Sequence, residues 1–383
     1  MGKLINLIPA ESIKLVKYSA SDLIERLGKD VICNVVESVL CGGNIRHLTE
    51  GLTQRRILLM NASLVVTYMK ALNSIDNFTE NLSTIVEKEL KTKRLNANVK
   101  AYLYWFLGLT GKSIQNVVRD DEGFKRYLFE LDKNLVEISK YVTEQYGDLE
   151  MNLSNNGVQY LMQWPALLRC MLAMGAQTLT IRGSEKSMYG KLFEKLVLGS
   201  ALTLLGAKYI DKNDTSQRKM VFWLSQTDEE KRECDATLLI RAGFGVRFDI
   251  GFVGEGNSEI PADKLSRYER VSERGNKRLY TTTVILIDKL GRDSNVHNIA
   301  RRNGDFVIQM SNSYWLYELV KDLKEEFEFF EHPLLSMKKE KSISYIREHI
   351  KDVDMSLFVN GLEEAESSEE EKPKPKRRRK AKG

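Results

Sequence analysis

Apolar residues recur at helical spacing through the first half of the chain and alternate at strand spacing only beyond it. "SASDLIERLGKDVICNVVESVL" repeats apolar positions every three to four residues, with Ser or Asp available as an N-cap. "NASLVVTYMKALNSI", "NVKAYLYWFLGL", "GFKRYLFELDKNLVEISKYVTEQYG" and "PALLRCMLAMGAQTL" continue the pattern, punctuated by Gly and Asn. Residues 1–175 are therefore predicted to be mostly helical. "SEKSMYGKLFEKLVLGSALTLLGA" predicts a further strong helix from about Glu185 to Leu205, stopped by Gly206.

The periodicity then changes. "KMVFWLSQ", "CDATLLIRA" and "GVRFDIGFVG" read as strands, and "PADKLSRYERVSE" as a helix with Pro near its first turn. "LYTTTVILID" is a β-branched strand, "SNVHNIARRNG" a helix, "DFVIQMS" a strand and "YWLYELVKDLKEEFEFF" a helix. The fold class is α/β (α+β): a mixed sheet flanked by helices, carried by residues 176–345, with a helical extension over 346–362. From Glu363 onward six acids are followed by eight bases, a segment that cannot bury a core and reads as a disordered tail. Its basic run suits phosphate contact or a nuclear address, or simply a solvated end.

Composition narrows the classes. With 383 residues, 42% of them hydrophobic, the chain can hold two domains or one large one with an appendage. The formal net charge is +5, and the body without the tail is nearly balanced, so any affinity for nucleic acid must come from local patches. No apolar run is long enough to span a bilayer, and the start lacks the apolar segment of a signal peptide. The expectation is a soluble cytoplasmic protein. Four cysteines form no CxxC pair and four histidines are scattered, which argues against a zinc or multi-His centre.

Two phosphate-loop lookalikes carry little. "GLTGKS" ends like a Walker A loop, but the motif needs Gly where Phe106 stands, and the surroundings are helical. "GEGN" suits a phosphate cradle or, more plainly, a tight turn between strand and helix.

The acids say more. Asp235 opens one strand and Asp249 lies within the next, fourteen residues on, so a hairpin would bring both carboxylates to one end of the sheet. Asp249 stands among Phe248, Ile250, Phe252 and Val253, where burying an acid is costly unless it is paired or binds a cation. Mg²⁺ takes one or two carboxylates plus water and substrate phosphate. The plainer alternative puts Asp249 on the solvent face of an edge strand. Glu259 follows the glycine turn, within reach of the same site. Lys264, in the first turn of the next helix, suits an attacking water or a scissile phosphate, with Arg267 on its face; a solvated, ion-paired helix would look the same. Glu194, the only acid between Lys186 and Gly206, either reaches the metal site or faces solvent.

A helix, then acid-bearing strands, then a helix and a strand resembles the order of the PD-(D/E)XK nuclease core. More closely, "FDIGFVGEGNSEIPADKLSRYER", with "ECDATLLI" before it and "GKLFEKLVLGSALTLLGA" earlier, resembles the CfrBI-type family of type II restriction endonucleases. The resemblance covers most of the chain. It implies a site-specific endonuclease that cuts double-stranded DNA with Mg²⁺ as cofactor. Asp235 matches the first acid, Asp249 the second, and Glu259 a possible additional one; Glu233 is an alternative to Asp235, and Glu194 a further possible ligand. The pattern's lysine, two residues after the second acid, is Gly251 here, so Lys264 would have to supply that charge.

The resemblance further implies a homodimer on a palindromic site and a cognate DNA methyltransferase in the same system. Residues 1–175 would then clamp DNA or form the dimer. Arg267, Arg274, Asn276, Lys277, Arg278, Arg301, Arg302 and Asn303 are candidates for reading base edges. A non-catalytic DNA-binding or scaffold protein, with the acids in structural ion pairs, and a repair-type nuclease of the same core are the competing readings.

Overall fold

A computed structural model of the chain describes residues 3–17, 22, 24–25, 28–118, 120–155, 157–211, 214, 216–217, 219–225, 234–252, 280–289 and 306–359. In chain order its helices are α1 (Ala10–Val16), α2 (Lys29–Leu40), α3 (Ile45–Ser74), α4 (Phe78–Leu90), α5 (Ala97–Phe106), α6 (Gly111–Val117), α7 (Asp121–Tyr146), α8 (Trp164–Leu204), α9 (Trp315–Glu326) and α10 (Lys341–His349). The strands are β1 (Met151–Asn155), β2 (Val158–Met162), β3 (Lys208–Tyr209), β4 (Val221–Leu224), β5 (Ala236–Arg241), β6 (Phe244–Gly251), β7 (Tyr280–Ile287) and β8 (Phe306–Gln309). The expected α+β class holds: a mixed sheet with helices, and a helical N-terminal region.

The chain forms two compact units, each discontinuous in sequence. One comprises Met1–Tyr18 and Glu50–Ser187, the other Ser19–Thr49 and Met188–Gly383. The boundaries fall within α3 and within α8.

The first unit is helical, as its periodicity predicts. Met60, Leu64, Tyr68, Ala71 and Ile75 repeat every three to four residues on α3 and are all buried. They meet an aromatic cluster in which Tyr68 lies edge-on to Phe78, with ring centroids 5.1 Å apart, and Tyr102 packs on Trp105 and Phe106. Beneath it Arg56 donates to Glu185 Oε1 at 2.9 Å and to the carbonyls of Leu15 and Val16, a fully enclosed ion pair. The Walker-like string proves to be a helix start: Thr110 is the N-cap of α6, and Thr110 and Ser113 form a reciprocal capping box. The α7 helix begins where Asp120 accepts from the Gly123 amide and ends at Gly147, whose φ of +85° favours glycine.

Two features depart from the periodicity. The "PALLRC" and "SEKSMYG" segments, expected as separate helices, form one continuous α8. No Pro or strong turn signal lies between them, and a Gly inside a helix weakens it without breaking it. The β1–β2 hairpin within the helical half was not part of the expected pattern.

The second unit holds a sheet in the order β3-β4-β5-β6-β7-β8. The pairs β4/β5 and β5/β6 are antiparallel; β6/β7 and β7/β8 are parallel. Every strand expected from the alternation beyond residue 200 appears, with the two-residue β3 in addition. One face of β6 presents Val246, Phe248 and Ile250, all buried. Thr282, paired with Val246, donates from its hydroxyl to Glu326 on α9 at 2.9 Å, which places α9 on that face. The helices expected at "PADKLSRYERVSE" and "SNVHNIARRNG", and the charged tail, lie outside the described residues.

Candidate active site at one end of the sheet

Register decides where the acids go. In the β5/β6 ladder Ala236 pairs with Phe248 and Thr237 with Arg247. One step further, the amide of Asp235 donates to the carbonyl of Phe248 at 2.8 Å, out of the ladder's register, so Asp235 and Ala236 both face Phe248 as in a β-bulge. Alternation along β6 turns Asp249 to the face opposite Phe248 and Ile250. The hairpin expected from the fourteen-residue spacing forms, with both acids at the same end of it.

Asp249 is on an interior strand. It pairs with Ile285 of β7 on one side, has β5 on the other, and is buried. That corrects the edge-strand alternative: β6 is an interior strand of the sheet, and Asp249 is buried. Asp235 is held by its neighbours. Its Oδ2 accepts from the Ile250 amide at 2.9 Å, and its carbonyl accepts from the Ser225 amide at 2.9 Å. The Cys234 thiol reports the surrounding field. Burial raises its pKa first; a hydrogen bond with Thr237 and the charge of Arg247 lower it, and the charges of Asp235 and Asp249 raise it.

A third acid joins this end of the sheet. Asp288 directly follows β7, is buried, and donates from its amide to the Gly251 carbonyl at 3.2 Å. Burial raises its carboxyl pKa, and the nearby charges of Arg46 and Lys289 pull it back. Arg46 Nη2 in turn donates to the Phe252 carbonyl at 3.3 Å, just beyond the end of β6. Sequence reading missed both. Asp288 had a signal, an acid closing an apolar β-branched strand. Arg46 had none, because it lies in a different part of the chain.

Glu194 sits half-buried on α8 between Phe193 and Leu196. Among the described residues no three His, Cys, Asp or Glu side chains cluster so as to hold a metal, so Glu194 does not join Asp235 and Asp249 in such a group. Glu233, Glu259, Lys264, Arg267, Arg274, Asn276, Lys277, Arg278, Arg301, Arg302 and Asn303 lie outside the described residues. The donor chemistry of Asp235 and Asp249 fits a hard divalent ion, which needs one or two carboxylates and takes its other oxygens from water and substrate. The four cysteines are free, and burial pushes the Cys170 thiol up to about 11. No described helix is long and apolar enough to cross a membrane.

A mixed sheet flanked by helices, with an acid-bearing hairpin feeding a parallel pair, is consistent with a restriction-endonuclease-like core. The chain belongs to the CfrBI restriction endonuclease family, whose model matches residues 29–295. It is 33% identical over 362 residues to the type II restriction enzyme CfrBI of Citrobacter freundii, an alignment covering 92% of this chain and 98% of that relative. No solved structure matches the chain.

Proposed function

We propose that this chain is a Mg²⁺-dependent type II restriction endonuclease of the PD-(D/E)XK type, cutting both strands of double-stranded DNA at a fixed palindromic site. The observation that carries the reading is the placement of Asp235 and Asp249 at the same end of the β5/β6 hairpin, with Asp235 Oδ2 on the Ile250 amide. Family membership supports the nuclease class.

In this reading Asp235 and Asp249 hold Mg²⁺, which when bound supplies Lewis-acid stabilisation of the phosphate and a more acidic water. The chain's own part is positioning. The Ile250 amide fixes one oxygen of Asp235. The β7 ladder fixes the backbone of Asp249, so the two carboxylates need little reorganisation when DNA arrives. Glu259 is proposed as an additional acid and Lys264 as a further cation near the phosphate. Arg267, Arg274, Asn276, Lys277, Arg278, Arg301, Arg302 and Asn303 are proposed to contact DNA. A homodimer would present one such centre to each strand of a two-fold symmetric site, and a cognate methyltransferase would protect the host's own sites.

Plasmid digestion in Mg²⁺ and in EDTA tests this. Discrete fragments in Mg²⁺ alone support it. A smear points to a repair-type nuclease without a fixed site, and intact plasmid with retained DNA binding points to a non-catalytic binding module.

A further inference from the structure

The second acid of the site is followed by an omission. Two residues after Asp249, on the same face of β6, the chain has Gly251, a position with no side chain and no charge. The other cation on this face, Arg247, lies two residues before Asp249, toward the strand interior. Metal-assisted attack on a phosphodiester builds negative charge on phosphate oxygens, and a fixed cation at the strand exit would oppose it.

Arg46 is at that exit. Its Nη2 donates to the carbonyl of Phe252, the residue after Gly251, across 206 positions of sequence. The side chain is exposed, so it is open to a phosphate. Its charge also acts on Asp288, whose amide is bonded to the Gly251 carbonyl. One guanidinium thus stands beside the ends of both β6 and β7.

The backbone that carries Arg46 is fastened to the same platform. Trp315, at the start of α9, donates from Nε1 to the Val39 carbonyl near the end of α2. Gly42 then turns with φ +90° against the Asn312–Ser313 backbone, where a Cβ would stand 2.7 Å from Ser313. The Arg46 amide donates to Asn44 Oδ1 at 2.8 Å as α3 begins. The loop that Gly42 touches is itself tied to the site, because the Ser311 amide donates to the Asp288 carbonyl at 3.0 Å. A surface arginine on an independent helix would need none of this.

We infer that Arg46 supplies the cation at the scissile phosphate that Gly251 cannot, contributed from the α2–α3 junction instead of from the second acid's own strand. The inference rests on the proposed nuclease site at Asp235 and Asp249. A guanidinium suits the role because its fork can keep one N–H on the Phe252 carbonyl and offer others to phosphate oxygens.

The test compares wild type, Arg46→Ala, Arg46→Lys and Asp249→Asn by single-turnover cleavage of plasmid DNA at saturating enzyme in Mg²⁺, with DNA affinity measured separately in EDTA. Arg46→Ala should lower the saturated rate about 100-fold while weakening affinity less than tenfold, and Arg46→Lys should recover part of the rate. Thermal unfolding of both should match wild type, because the side chain is exposed. A wild-type saturated rate for Arg46→Ala, with Asp249→Asn inactive, would overturn the inference and leave the site reading standing. A loss confined to affinity would also overturn it. Wild-type rates for both Arg46→Ala and Asp249→Asn would remove the site reading and the inference together.

Discussion

Asp235 accepts a hydrogen bond from the amide of Ile250 at 2.9 Å, which ties the acid ahead of β5 to the residue that follows Asp249 on β6. The bond joins the Asp235 carboxylate to the backbone beside Asp249 and so holds the two acids near one another. Any change that shifts the β5/β6 register would separate them, because a one-residue slip turns a side chain to the opposite face.

Gly42 is a tight point in the support of this site. A side chain there would meet the Ser313 backbone at 2.7 Å while holding φ at +90°. Gly42→Ala should destabilise the protein by about 1–3 kcal/mol and slow cleavage by displacing Arg46. Gly175, in the α8 interior with open space around it, is the matched control. Gly175→Ala should stabilise by roughly 0.5–1 kcal/mol through helix propensity. Denaturant unfolding of both variants checks the opposite signs.

The enclosed Arg56–Glu185 pair gives a second stability prediction. Removing the guanidinium leaves a carboxylate and two backbone acceptors without their donor in a dry interior. Arg56→Met should cost about 3–5 kcal/mol. Adding Glu185→Leu should recover part of that loss, because the stranded charge is gone although the Leu15 and Val16 carbonyls still lack their donor. A double-mutant cycle by urea unfolding measures the recovery.

Asp288 sets a pH dependence. Burial raises its folded-state pKa above the ordinary aspartate value, with Arg46 and Lys289 opposing. A raised carboxyl means that the folded state binds the proton more tightly than the unfolded chain does. Its ionisation therefore costs stability above the folded pKa. That cost fades as pH falls through the folded pKa toward the unfolded one. Asp288→Asn should accordingly be more stable than wild type at neutral pH, and the difference should close in the acidic range. Unfolding free energies of the two proteins across that range give the comparison.

Much of this architecture was legible in the residues. Alternating apolar strands, a β-branched run and a fourteen-residue acid spacing were enough for the β5/β6 hairpin, because local period and turn length fix it, whereas the burial of Asp249 stayed open against a solvent-facing edge strand until the strand order decided it. The continuous α8 was harder, since glycine spacing suggests a break that helix cooperativity overrides. Arg46 was invisible, because a contact across 206 residues leaves no local period and depends on how α2 and α9 pack. Asp288 was visible as a strand end but not as a neighbour of Gly251, because a parallel β6/β7 register cannot be read from either strand alone.

The central claim is that Asp249 holds the ion that drives cleavage. Asp249→Asn keeps the shape of the side chain and removes the charge, so it tests the ligand without emptying the core. Plasmid cleavage by purified Asp249→Asn in Mg²⁺, beside wild type and with DNA binding measured in EDTA, is the most direct check. A rate at least about 1,000-fold lower, with the affinity for DNA kept, is the predicted result. Cleavage at the wild-type rate would contradict it and return Asp249 to a purely structural role.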